Sequence, residues 1–203
     1  EMQALLAIQR MENFDDFVGK RNTPDFEIGT FAKIYKRDLG SQKIAFAVFN
    51  SAWRSSGEAD GRDDRSILLS TQVVETVERE LVDADILVAV FHHPMEHHAP
   101  FERVLTEGRL ARSFDIICNG HTHLPAPQGV TSMHGSCILS QVGSVFAGTK
   151  WHNGYQILEV DASNENVNVF SREYSRTLDK FSAATNLIEA DPLSLDFKKK
   201  NGS

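Results

Sequence analysis

Cysteine is scarce in this 203-residue chain: Cys118 and Cys137 are the only two. A disulfide framework is therefore excluded as the source of its stability. Both cysteines stand inside apolar runs and read as small core residues in a reducing compartment, which points to the cytoplasm. Long apolar runs are also missing. None approaches the ~20 residues that a membrane-spanning helix needs, so no membrane partner is expected, and no signal peptide is visible. Positive charge is in deficit, with 21 Lys and Arg against 28 Asp and Glu, a net charge of −7. That argues against binding along a nucleic-acid backbone, which needs a basic surface. It does not remove a nucleic acid, or any phosphorylated molecule, as a substrate, because bound cations would dominate the field at such a site. Internal repeats and low-complexity tracts are absent as well.

What is present reads as a soluble globular chain, 41 % hydrophobic and 24 % charged, long enough for one sizeable core. Leu5, Leu6, Ile8, Met11, Phe14, Phe17 and Val18 recur at helical spacing over 1–19. The segments 31–36 and 43–49 read as a hairpin around Asp38-Leu39-Gly40-Ser41. The loop at 54–66 is too charged to be buried. Ser70 or Thr71 is placed to cap a helix through about 83, with Glu75 in a capping-box position. ILVAVF at 86–91 and FDIIC at 114–118 read as buried strands, separated by a helix that Pro100 opens and that runs to about 112. Residues 124–135 read as a loop. CILSQV at 137–142 joins 154–160 and 166–174 as the last strands of a second sheet. The tail is expected to form a short helix over 178–189 and then a linker or frayed end.

The histidines carry the chemistry. Phe91-His92-His93-Pro94 follows the first buried strand, and Cys118-Asn119-Gly120-His121-Thr122-His123 follows the second. In an open α/β sheet, ligands bind at the carboxyl ends of the strands. Two histidines one residue apart after a glycine can face one point if the backbone bends, and neutral imidazole suits zinc, iron, manganese and nickel. Gly120 is the residue expected to take the positive φ of that bend. His97 and His98 lie in the following loop and read as solvent-exposed residues or substrate-side contacts. Asn50 ends the strand AFAVF, where its amide could bind a phosphate oxygen or hold a turn. Trp53 and Arg54 could shape a pocket or lie in an exposed loop. His134 and His152 read as ordinary surface or core residues.

The GHTH at 120–123, with H-x-P at 92–94 before it, resembles the C-terminal half of a calcineurin-like metallophosphoesterase. VFNSAW at 48–53, Gln72 at a helix start, and the closing segments GYQILEVD and VNVFSREY fit the same pattern. The resemblance implies an α/β fold, a four-layer αββα sandwich, here without its first strands and helices. Residues 1–175 would form the C-terminal part of that domain and 176–203 a helix and tail. It implies a centre of two divalent metal ions (manganese, iron, zinc or nickel) that hydrolyses a phosphomonoester or phosphodiester. His92 and His121 would bind one metal and His123 the other. His93, in the x position, should point away from His92 and is left out of the ligand set. Asn50, His97 and His98 are the candidate substrate contacts.

The family's D-x-H, G-D-x-x-D and G-N-H-[D/E] motifs are not found in the chain. The chain therefore reads as a fragment whose centre is completed upstream and which is a poor catalyst by itself. A fusion to a further domain or a homo-oligomer fits the same reading. Two alternatives stay open: a degenerate phosphoesterase-fold module that binds or regulates without catalysis, and a mononuclear zinc protein using His92, His121 and His123.

Overall fold

Strands β2 (Ala32–Leu39) and β3 (Gln42–Phe49) form a hairpin whose register ends on the pair Leu39↔Gln42. Only Gly40 and Ser41 turn the chain, and Gly40 takes φ +72°, as a tight two-residue hairpin loop requires. The turn is thus two residues shorter than the four-residue loop read from the sequence. The computed structural model describes residues 6, 8–9, 11–21, 23–55, 65–132, 135–146, 148 and 151–197. His134 and most of the 54–66 loop lie outside these residues. The fold class is mixed α/β. The chain divides into two units, Glu1–Leu110 and Ala111–Ser203.

In the first unit, helix α1 (Glu12–Gly19) precedes β1 (Phe26–Ile28), which adds to β2 antiparallel. Alternation places Ala32, Ile34, Ala45, Ala47 and Phe49 in the core, the period-2 pattern of a half-buried sheet. Strand β4 (Ile86–Val90) runs parallel to β3, from Ile44↔Ile86 to Val48↔Val90. A parallel pair needs a crossover, and 50–85 supplies it with helix α2 (Thr71–Glu80), which buries Val74 and Val77. Parallel pairing puts the ends of β3 and β4, hence Asn50 and His92, at the same edge.

The start of α2 differs from the expected capping box. Ser70 has φ +66° and makes no side-chain cap. The Thr71 N–H instead donates to Glu102 Oε1 at 2.7 Å. Glu75 turns outward, where its carboxylate and that of Glu78 each accept from Arg109 at 2.6 Å. Glu102 belongs to helix α3 (Pro100–Ser113) and is 7 % exposed. Burial raises its carboxyl above the usual range, opposed by backbone N–H donors from Thr71, Leu69 and Ser70. A carboxylate borrowed from another helix thus does the work assigned to a local cap.

In the second unit, β5 (Ile116–Asn119) pairs in parallel with β7 (Gly135–Gln141), and β6 (Gln128–Ser132) pairs antiparallel with β7. This corrects two expectations. CILSQV belongs beside FDIIC rather than with the last strands, and part of 124–135 is a strand. The remaining sheet is built on β9 (Asn166–Ser175). Strand β8 (Gly154–Asp161) covers one edge of it. On the other edge, β10 (Lys180–Ala183) pairs with Arg172 through Ser175, and β11 (Leu193–Asp196) with Asn166 through Val169. The helix expected over 178–189 and the frayed end after it are therefore wrong for these residues. An open β9 edge would leave backbone N–H and C=O groups unpaired, and the tail satisfies them. Phe197, just past β11, is 3 % exposed. Ser140 on β7 donates to Gln156 on β8 at 2.6 Å, and Gln156 donates to Ser171 on β9 at 3.1 Å. No helix among the described residues is long and apolar enough to cross a membrane.

Candidate metal and substrate site

In the first unit the site is built around Ser51, 1 % exposed in the turn after β3. Its Oγ accepts the backbone N–H of His92 at 3.2 Å and of His93 at 3.1 Å. It also lies 3.0 Å from His93 Nδ1. A hydroxyl has one proton and two lone pairs. With both lone pairs engaged by backbone donors, the Ser51 proton goes to His93 Nδ1. The hydrogen-bond count thus assigns His93 the neutral tautomer protonated at Nε2. A neutral imidazole bound to a metal through Nε2 would instead need its proton on Nδ1. In this arrangement His93, 4 % exposed, anchors the turn, and His92 is the exposed partner. Ring nitrogens of this histidine pair lie within 4.8 Å of each other, and the rings meet edge to face. Both therefore belong to a group of side chains that could hold a metal ion.

The same turn employs Asn50. Its Nδ2 donates to Thr30 O at 3.0 Å, and its Oδ1 accepts the Ala52 N–H at 2.9 Å. Both ends of the amide are thus engaged in holding the turn. Trp53 donates to Leu68 O at 2.9 Å and meets the Phe31 ring edge-on, so it also braces this loop.

His98 is not a surface residue. It is 1 % exposed and donates from Nε2 to the His93 carbonyl at 3.1 Å. Its expected role as a substrate contact is corrected by that burial. The reason is the neighbouring backbone: Ile67 N–H donates to His97 O and Ala99 N–H to Ile67 O, pulling the segment inward. His97 is half-buried. His98 Nδ1 makes no hydrogen bond among the described residues.

Burial holds the His98 pKa below the ordinary range; the bond to His93 O and nearby Glu96 oppose this, while His97 and Arg103 reinforce it. The unfolded chain then takes up a proton first, near pH ~6.5. Stability contributed by neutral His98 is present above that pH and is lost as pH falls toward the folded value. We expect unfolding free energy to drop as pH falls below about 6.5, with a slope of at most ~1.4 kcal/mol per pH unit for this proton. His98→Gln, which keeps a donor without titrating, should flatten that segment of a denaturant-derived stability profile. An unchanged slope would show that His98 is not its source.

In the second unit the turn after β5 carries His121 and His123. Both have left-handed backbone, φ +71° and +59°. Gly120 is not among the positive-φ residues, which corrects the expected role for it. Left-handed φ is uncommon outside glycine, though enriched for histidine, and two such residues in one turn concentrate strain. The turn is tied by Thr122 N–H to Gly120 O at 2.9 Å and by Gln141 Nε2 to Thr122 Oγ1 at 2.7 Å. Gly143 packs against it so closely that a Cβ there would meet His123 O at 3.0 Å. Trp151 stacks on the His123 ring, centroids 5.1 Å apart. His121 is exposed and His123 half-buried. Sequence reading missed Gly143, Gln141 and Trp151, because only the return of β7 brings them to the turn. Just before it, buried Asn119 has an Oδ1 with no hydrogen-bond partner among the described residues. Burial pushes the Cys118 thiol up to about 11, so without a metal it stays protonated.

No family model matches the chain, and no curated protein matches it in sequence. Among solved structures it is similar to GAP50, described as the anchor in the inner membrane complex of Plasmodium, at 14 % identity and TM-score 0.49; 94 % of this chain is covered, and it spans 64 % of that one. It is also similar to Vps29 of Chaetomium thermophilum, at 10 % identity and TM-score 0.32, covering 81 % of this chain and 60 % of that one. A third is a conserved protein of Streptococcus pneumoniae described as a predicted phosphoesterase, at 14 % identity and TM-score 0.28, covering 72 % and 99 %. At this level of similarity these proteins assign no function.

Proposed function

We propose that this chain is part of a calcineurin-like metallophosphoesterase, with His92, His121 and His123 as metal ligands. The observation that carries the reading is the turn after β5, where His121 and His123 both hold left-handed backbone. Such strain persists where surrounding contacts enforce it, and it clusters at functional sites. The donors fit the group. Imidazoles suit the borderline divalent ions, and His92 is exposed while buried His93 lies against Ser51. Divalent ions held there would supply Lewis-acid polarisation of a phosphoryl oxygen and a water of lowered pKa. Further ligands come from residues other than these three. Ser51 and Asn50 fix the turn that presents His92, while Gln141, Gly143 and Trp151 fix the turn that presents His121 and His123. A phosphomonoester or phosphodiester is the substrate class.

The test is to dialyse the purified protein against manganese or zinc, measure bound metal by elemental analysis, and assay an aryl phosphate. Retained metal is expected, with hydrolysis that rises on metal addition once the remaining ligands are supplied. Metal retention without hydrolysis in the full-length protein would favour the non-catalytic binding module. Absence of retained metal would overturn the ligand assignment.

A further inference from the structure

The first unit contains a cavity of about 390 Å³ with His92 in its lining. We propose that it receives the apolar organic group of a phosphate ester, an aryl or alkyl alcohol moiety, whose phosphate lies at His92; this rests on the phosphoesterase reading above. The size falls within the range of small-molecule pockets.

The lining decides the chemistry. Met11 and Phe14 come from the α1 segment, Ala32, Val48 and Phe49 from β2 and β3, and Ala52 from the following turn. Apart from His92, the polar residues among the lining are matched to one another, to nearby side chains or to the backbone. Lys33 Nζ pairs with Asp15 at 3.1 Å, cancelling charge within the wall. Asn50 bonds Thr30 and Ala52, and Ser51 bonds His93. A charged ligand group gains little from a wall whose one Lys–Asp pair is already neutral, and Asn50 and Ser51 spend their polar atoms on the turn. An apolar group gains contact with Phe14 and Val48, which are 54 % and 36 % exposed, and loses nothing.

Fluorescence titration with 1-naphthol, which carries no phosphate, tests the cavity alone. Saturable binding is expected. It should weaken about tenfold when Ala52→Trp fills the cavity, and severalfold when Phe14→Ala removes an exposed wall, a change that leaves the core untouched. Val82→Ser, on a residue outside the lining, should leave it unchanged. Absent binding, or equal binding by all variants, overturns the proposal. A second arm compares kcat/KM for 1-naphthyl phosphate and methyl phosphate in metal-loaded full-length protein. A preference for the naphthyl ester that falls in Ala52→Trp supports the proposal. Hydrolysis without preference overturns the cavity's role and leaves the phosphoesterase reading standing. Naphthol binding with the expected variant pattern, but no hydrolysis of either ester, overturns the phosphoesterase reading while the cavity keeps its ligand class.

Discussion

His121→Ala should weaken divalent-metal binding more than about a hundredfold, because loss of a ligand exceeds the 10–100-fold cost of losing a group that merely supports one. Hydrolysis by the full-length protein should fall with it. His97→Ala, at a half-buried histidine outside the ligand set, should leave metal content within about twofold. The left-handed backbone at His121 offers a sharper form of the experiment. His121→Gly removes the same imidazole but suits φ +71° without steric cost. It should therefore raise folding stability by up to ~1 kcal/mol while abolishing metal binding. A residue kept only for structure would not show opposite signs in the two measurements. Equal metal content in wild type, His121→Ala and His121→Gly would remove His121 from the ligand set.

Phe114→Ala should cost about 3–5 kcal/mol of unfolding free energy, the range for truncating a large buried aromatic side chain. Phe114 is 0 % exposed and lies between the end of α3 and the start of β5. Truncation there opens a void at a fully buried position two residues before the strand that carries the His121 turn. Phe146→Ala is the matched control. Phe146 is 82 % exposed, and its loss should change stability by less than ~0.5 kcal/mol. Denaturant unfolding of both variants measures the difference, and similar midpoints would contradict the assigned core.

The elements that were legible in the sequence carry their own signals. ILVAVF and FDIIC announce β4 and β5 because buried parallel strands read as continuous apolar runs. Pro100 marks the start of α3 because it suits the first helical turn. Strands β10 and β11 have four residues each, too short for alternation to stand out among charged neighbours. Their conformation is set by the open edge of β9, not by local preference. The cap on α2 was invisible for a similar reason: its acceptor, Glu102, lies 31 positions away from Thr71.

At the site, the histidine motifs and their placement at strand ends could be read directly. Which backbone positions bear the strain could not. A glycine beside a turn is the natural candidate for positive φ, yet the ties to Gln141 and the close approach of Gly143 put His121 and His123 there instead. The separation of His92 from His93 likewise depends on Ser51, 42 positions before His93.

Long-range proton–nitrogen correlation spectra of the histidine side chains, recorded with and without zinc, test the central claim most directly. They report the protonation of each ring nitrogen and its perturbation by metal. His93 should show the Nε2–H tautomer in both spectra, while ring nitrogens of His92, His121 and His123 should shift on zinc addition. A shift at His93, with His92, His121 and His123 unmoved, would contradict that claim.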